Sequence, residues 1–186
     1  LKEMEFEIVF IQHFPVFDYL VSRYGLKYKR MVVSKLSVIN AMENLPVCTQ
    51  EAAFILCVSP ECADMVAMQV PEGTKIRVFQ NCVEAEYFEG SSEYAGYKRA
   101  LDKIAIISNH IPQELLELKE KMGGYYQVDL IGLGYRTEQV NAEFLQQYDL
   151  VITIGRTVPR CLAMGVPVYV YDYLGGPGYL TEANFS

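Results

Sequence analysis

Apolar residues recur along this chain in short runs, and the spacing within each run separates strand from helix. FEIVFIQHF (6 to 14) is brief and rich in β-branched and aromatic residues, which predicts a buried strand ending at His13. VVSKLSVINAMENL (32 to 45) fits helical spacing and closes before Pro46. AAFILCVS (52 to 59) predicts a second strand, after which Ser59 caps a helix opened by Pro60. KIRVFQN (75 to 81) predicts a third strand.

Between residues 84 and 101 the periodicity is lost around Gly90-Ser91-Ser92, which predicts a linker over 86 to 100. A regular alternation follows. Strands are predicted at KIAIIS (103 to 108), YQVDLIGLG (126 to 134), LVITIG (150 to 155) and PVYVYD (167 to 172). The helices between them are PQELLELKEKM (112 to 122), NAEFLQQY (141 to 148) and VPRCLAMG (158 to 165).

Strands that are apolar on both faces and alternate with helices predict a parallel sheet covered on both sides, a doubly wound, Rossmann-like α/β domain. Ligands of such sheets collect at the carboxyl ends of the strands. Four loops are therefore candidates: Ser108-Asn109-His110, Gly132-Leu133-Gly134, Gly155-Arg156-Thr157, and Asp172 through Gly178, which includes Gly175 and Gly176. The competing reading of each glycine is tight turn geometry alone.

Composition narrows the classes. A net charge of -7 over 186 residues argues against sequence-independent nucleic-acid binding, which needs a positive surface. Five cysteines, at 48, 57, 62, 82 and 161, form no CxxC pair, and two histidines give no zinc spacing, so free buried thiols in a reducing cytoplasm and no metal are expected. No apolar run reaches the roughly 18 residues of a membrane span, and no signal peptide is evident, although peripheral membrane contact or a partner subunit fits the same composition. The ends of the sequence predict a piece of a longer protein.

The third loop carries most chemistry. With Thr157 as N-cap, the first helical turn would aim free N–H groups and the positive end of the helix dipole at the strand ends, a setting that binds phosphate. Arg156 precedes it, and Arg160 lies four residues on, where a cation opposes the dipole unless an anion is near. The alternative is that Arg160 reaches solvent or an acidic side chain. Neither a GxGxxG fingerprint after Gly132 nor a Gly-Lys-Ser/Thr phosphate loop nor a GxSxG elbow is present, so no NAD site and no cofactor is expected.

AAFILCVSPECADMV (52 to 66) and KIRVFQNCVEAEYF (75 to 88), with Asn81 and Phe88 in place, resemble stretches of the two-domain, nucleotide-sugar-dependent glycosyltransferases of the GT-B type. YDLVITIGRTVPRCLAMGVPVYVYD (148 to 172) is similar to that family's donor-binding segment. The resemblance implies that residues 1 to 85 are the tail of an acceptor-side α/β domain and 101 to 186 the donor-binding domain. It implies metal-independent transfer from a nucleoside diphosphate sugar to an acceptor of unknown class, with helix N–H groups and Arg156 stabilising the leaving diphosphate and the base supplied from elsewhere. Where many members carry two glutamates with seven residues between them, this chain has Ile152 and Arg160. That departure leaves open a non-catalytic binding or regulatory module of the same fold.

Overall fold

The computed structural model describes residues 4–89 and 100–184. The chain divides into two compact units, Leu1–Asn81 and Cys82–Ser186. Both are mixed α/β units built on parallel sheets.

The first unit runs β1 (Glu5–Ile11), α1 (Phe14–Tyr24), β2 (Lys27–Lys35), two single 3-10 turns at Ala41–Glu43 and Thr49–Glu51, β3 (Phe54–Cys57), α2 (Pro60–Ala67) and β4 (Ile76–Val78). Its strands lie in the order β1-β2-β3-β4, each parallel to the next. Ser59 caps α2 as expected, accepting the Cys62 N–H. His13 does not end a strand; it precedes α1, a helix bracketed by Pro15 and by Gly25 at φ 62.

The helix expected over 32 to 45 is not formed. Val32 and Val33 sit in β2 between Phe10 and Ile11 on one side and Phe54 and Ile55 on the other, where β-branched side chains pack well. Residues 36 to 45 instead wrap around Glu43, whose carboxylate accepts the Leu36 N–H at 2.8 Å while the buried Lys35 amine donates to its backbone carbonyl at 2.6 Å. The covering also differs from expectation. Both helices contribute to one core, Phe17 from α1 and Cys62 and Val66 from α2 meeting Met31, Val33, Ile55 and Cys57. Ile8 and Phe10, on the opposite side of β1, remain 59% and 61% exposed.

The second unit contains α3 (Glu86–Glu89), β5 (Lys103–Ile107), α4 (Gln113–Met122), β6 (Gln127–Ile131), α5 (Ala142–Leu145), β7 (Leu150–Thr153), α6 (Thr157–Met164), β8 (Val168–Asp172) and β9 (Gly175–Tyr179). The strand order is β6-β5-β7-β8-β9. The first four are mutually parallel, as expected, and β9 runs antiparallel to β8. Each face has its own core: Ala105, Ile107, Ile131 and Val151 pack with residues of α5 and α6, whereas Ile104, Ile106, Val128 and Ile152 pack with Leu115 of α4. This layering is consistent with a Rossmann-like fold.

Two segments depart from the sequence reading. Residues 86 to 89, expected in a linker, form α3, and Tyr87 is buried in the core with Met164 and Cys161 of α6; the rest of that linker, 90 to 99, lies outside the described residues. Gly175 and Gly176, expected in a ligand loop, belong to the edge strand β9. A Cβ on Gly176 would stand 2.1 Å from the Val170 carbonyl oxygen, so this glycine serves strand approach.

Candidate functional site

A cleft of about 720 Å³ opens at the carboxyl ends of β5, β6, β7 and β8. It lies where the strand order reverses, since the chain steps from β5 outward to β6 and then to β7 on the other side of β5. At such a switch point the two flanking loops diverge and leave a crevice.

Eight residues of the four candidate loops line this cleft: Ser108, Asn109 and His110, Gly132 and Leu133, Thr157, and Asp172 and Tyr173. Asp172, at 2% exposure, accepts from the Ser108 hydroxyl at 3.2 Å and from the Leu174 N–H at 2.9 Å. The Ser108 oxygen in turn accepts the His110 N–H at 3.0 Å. The His110 ring meets Tyr173 edge-on, with centroids 5.2 Å apart. Asn109 accepts the Leu133 N–H at 3.2 Å, tying the loop after β5 to the loop after β6. A carboxylate with one protein donor on each oxygen keeps spare lone pairs for a ligand hydroxyl.

The sequence did not single out Thr137, Glu138, Val140 or Thr153, which also line the cleft. Thr137, Glu138 and Val140 belong to an aperiodic stretch without a glycine or helix signal. Thr153 closes β7 as a buried hydroxyl donating to the Ile107 carbonyl at 2.8 Å. Gly134, Gly155, Arg156, Arg160, Gly175 and Gly176 are not among the lining residues.

The start of α6 corrects the expected phosphate cradle. Arg156 is the N-cap, already helical at φ -64 and ψ -22 and without a side-chain capping bond, so Thr157 is the first helical residue and not the cap. Gly155, at φ 65, makes the turn that allows this early start. Val158 gives its N–H to the Gly155 carbonyl at 3.2 Å, and Pro159 has none to give. Fewer free donors remain than an N-terminal anion site would use.

The arginines are also engaged. Glu84 accepts from Arg156 Nη2 at 3.1 Å, from Arg160 Nε at 3.1 Å and from Arg160 Nη2. Hydrogen bonding from Arg160 foremost, then a backbone hydrogen bond and the charges of Arg160 and Arg156, draws the exposed Glu84 carboxyl from its ordinary 4.5 down to about 2. Because the folded value is lowered, the stabilisation is present above pH 4.5 and lost as the pH falls through 2; solvent screens it.

The thiols offer no nucleophile here. Cys57, Cys62 and Cys161 are buried, Cys48 is half-buried and Cys82 is exposed, which differs from the expectation that all are buried. Burial pushes the Cys161 thiol up to about 12. Among the described residues no group of three His, Cys, Asp or Glu is placed to hold a metal, and no helix is long and apolar enough to cross a membrane. No protein-family model, curated protein or solved structure matches the chain.

Proposed function

We propose that the second unit binds a nucleoside diphosphate sugar as the donor-binding half of a GT-B type glycosyltransferase. The observation that carries the reading is the switch-point cleft, in which Asp172, Ser108, Thr153 and Thr157 offer hydroxyl-recognising groups beside the apolar walls of Ile107, Ile131 and Val140. Among the described lining residues there is no lysine or arginine, and Asp172 and Glu138 contribute carboxylates. Such a cleft suits the uncharged, hydroxyl-bearing part of the donor. The diphosphate would lie outside it, toward Arg156, which adjoins the lining residue Thr157. In that position a guanidinium would stabilise the charge that develops on the leaving diphosphate. A base from another part of the enzyme would take the acceptor proton.

A panel of nucleoside diphosphate sugars tested by thermal shift should contain at least one stabilising donor; at a hundredfold excess over Kd the gain is about 2.7 kcal/mol. Asp172→Asn should weaken that donor about tenfold, as expected on losing one charge-assisted hydrogen bond of about 1.5 kcal/mol. A panel that leaves the transition unmoved would remove the donor-binding reading.

The second reading, a non-catalytic module of the same fold, is favoured by the pairing of both arginines with the chain's own Glu84. Donor binding without hydrolysis or transfer by the full-length protein would select it.

A further inference from the structure

We infer that Arg156 and Arg160 form an oxyanion seat whose resident occupant is the chain's own Glu84 carboxylate, so that a diphosphate-bearing ligand enters by displacing it. This deepens the donor-binding reading and rests on it for the identity of the ligand.

The geometry of the seat is that of an anion site. Three guanidinium N–H groups from two arginines converge on both oxygens of one carboxylate. Carboxylate and phosphoryl oxygens accept from guanidinium in the same forked arrangement. Two cations facing one carboxylate leave a unit of positive charge, which a diphosphate would match better than Glu84 does.

The two partners are not held alike, and this makes displacement feasible. Arg160 is 20% exposed, with its guanidinium 4.9 Å over the ring of Tyr87, and Tyr87 is itself buried with its hydroxyl donating to the Val140 carbonyl at 3.2 Å. Arg160 therefore keeps its place when Glu84 leaves. Glu84 is 42% exposed and can turn into water without opening the core. The Glu84–Arg156 pair is exposed on both sides and weak, so the forked Glu84–Arg160 contact is the hold that a ligand must replace. Glu86, which also acts electrostatically on Arg160, sets a limit by repelling a second anion.

The seat also explains the cleft beside it. Val140, which receives the Tyr87 hydroxyl, and Thr157, next to Arg156, both line that cleft. A ligand whose uncharged part filled the cleft could present its diphosphate to the arginines. Glu84 would then act as a latch that keeps the arginines paired in the absence of ligand and raises the threshold for binding.

The test uses the whole chain, its Glu84→Gln variant, and a variant lacking both guanidinium groups (Arg156→Ala with Arg160→Met), each titrated calorimetrically with inorganic pyrophosphate and with adenosine, guanosine and uridine diphosphates. Glu84→Gln should bind pyrophosphate at least tenfold tighter than the native protein, and the double arginine variant should lose that binding. In the native protein, pyrophosphate should shift the Arg160 Nε–H resonance, a readout that does not depend on any variant's folding. Equal pyrophosphate affinity in native and Glu84→Gln proteins, or an unmoved Arg160 resonance, would overturn the seat. Nucleoside diphosphates binding Glu84→Gln tighter than pyrophosphate does would support a nucleotide as the displacing ligand, and no such preference would overturn that part. Tighter pyrophosphate binding without any nucleotide-sugar response would uphold the seat while the donor-binding reading fell; the converse pattern would uphold the donor and remove the seat.

Discussion

Replacing Gly132 with alanine is expected to destabilise the second unit by about 3 to 5 kcal/mol, combining backbone strain with overpacking, and to abolish ligand binding in the cleft. Gly132 has φ 139, a conformation that side chains rarely adopt. A Cβ there would stand 2.0 Å from the Ser108 carbonyl oxygen and 2.7 Å from its carbon, both backbone atoms that no rotamer change can move. The same residue anchors the loop after β6, giving its N–H to the Arg136 carbonyl and accepting the Tyr135 N–H, each at 3.1 Å. Alanine must therefore push the loop after β6 away from the loop after β5, which carries Ser108, Asn109 and His110. Gly134 supplies the control. It has φ 84 but nothing within 4 Å of a built Cβ, so Gly134→Ala should cost only about 1 to 2 kcal/mol. Urea unfolding followed by a probe in the second unit separates the two, and equal costs would show that Gly132 is not a close-approach residue.

That contrast shows what the sequence could reveal about the site and what it could not. Gly132 and Gly134 read alike as letters, since both follow a strand, and only the packing of two loops makes one indispensable. The four parallel strands of the second unit were legible because each is a short apolar run bounded by breaks, and the carboxyl-end rule then pointed to Ser108, Asn109, His110 and Asp172. Gly175 and Gly176 were read as a ligand loop because glycine usually breaks strands, yet β9 pairs along Val170 where a side chain would not fit. The start of the stretch 32 to 45, which reads as a helix, departs for a different reason. Its apolar spacing suits a helix, and strand pairing on both sides overrides that local preference.

The arginines show a further limit. Periodicity placed Arg156 and Arg160 on one side of α6 and identified the need for an anion nearby. It could not name the anion, because Glu84 lies more than seventy residues earlier in the chain. Long-range pairing of this kind leaves no local mark in composition.

Tyr87→Ala is expected to cost about 3 to 5 kcal/mol, the range for deleting a buried aromatic side chain, even though its surroundings read as a linker. EAEYFEGSS gives no amphipathic signal because its two large apolar side chains, Tyr87 and Phe88, are adjacent among acidic neighbours and have no period to reveal them. In the fold the Tyr87 ring carries three tasks: it fills the core beside Cys161 and Met164, it supports the guanidinium of Arg160, and its hydroxyl holds the Val140 carbonyl at the edge of the cleft. Tyr87→Phe keeps the first two and should cost only about 1 kcal/mol, the net worth of one hydrogen bond. The two variants thus separate packing from polar anchoring. Tyr87→Ala should also release Arg160 from its support, so pyrophosphate binding should weaken in the Tyr87→Ala, Glu84→Gln double variant relative to Glu84→Gln alone. A cost within about 0.5 kcal/mol for Tyr87→Ala, the value for an exposed position, would mean that the segment before Gly90 is no part of the second unit's core and that Arg160 is positioned by Glu84 instead.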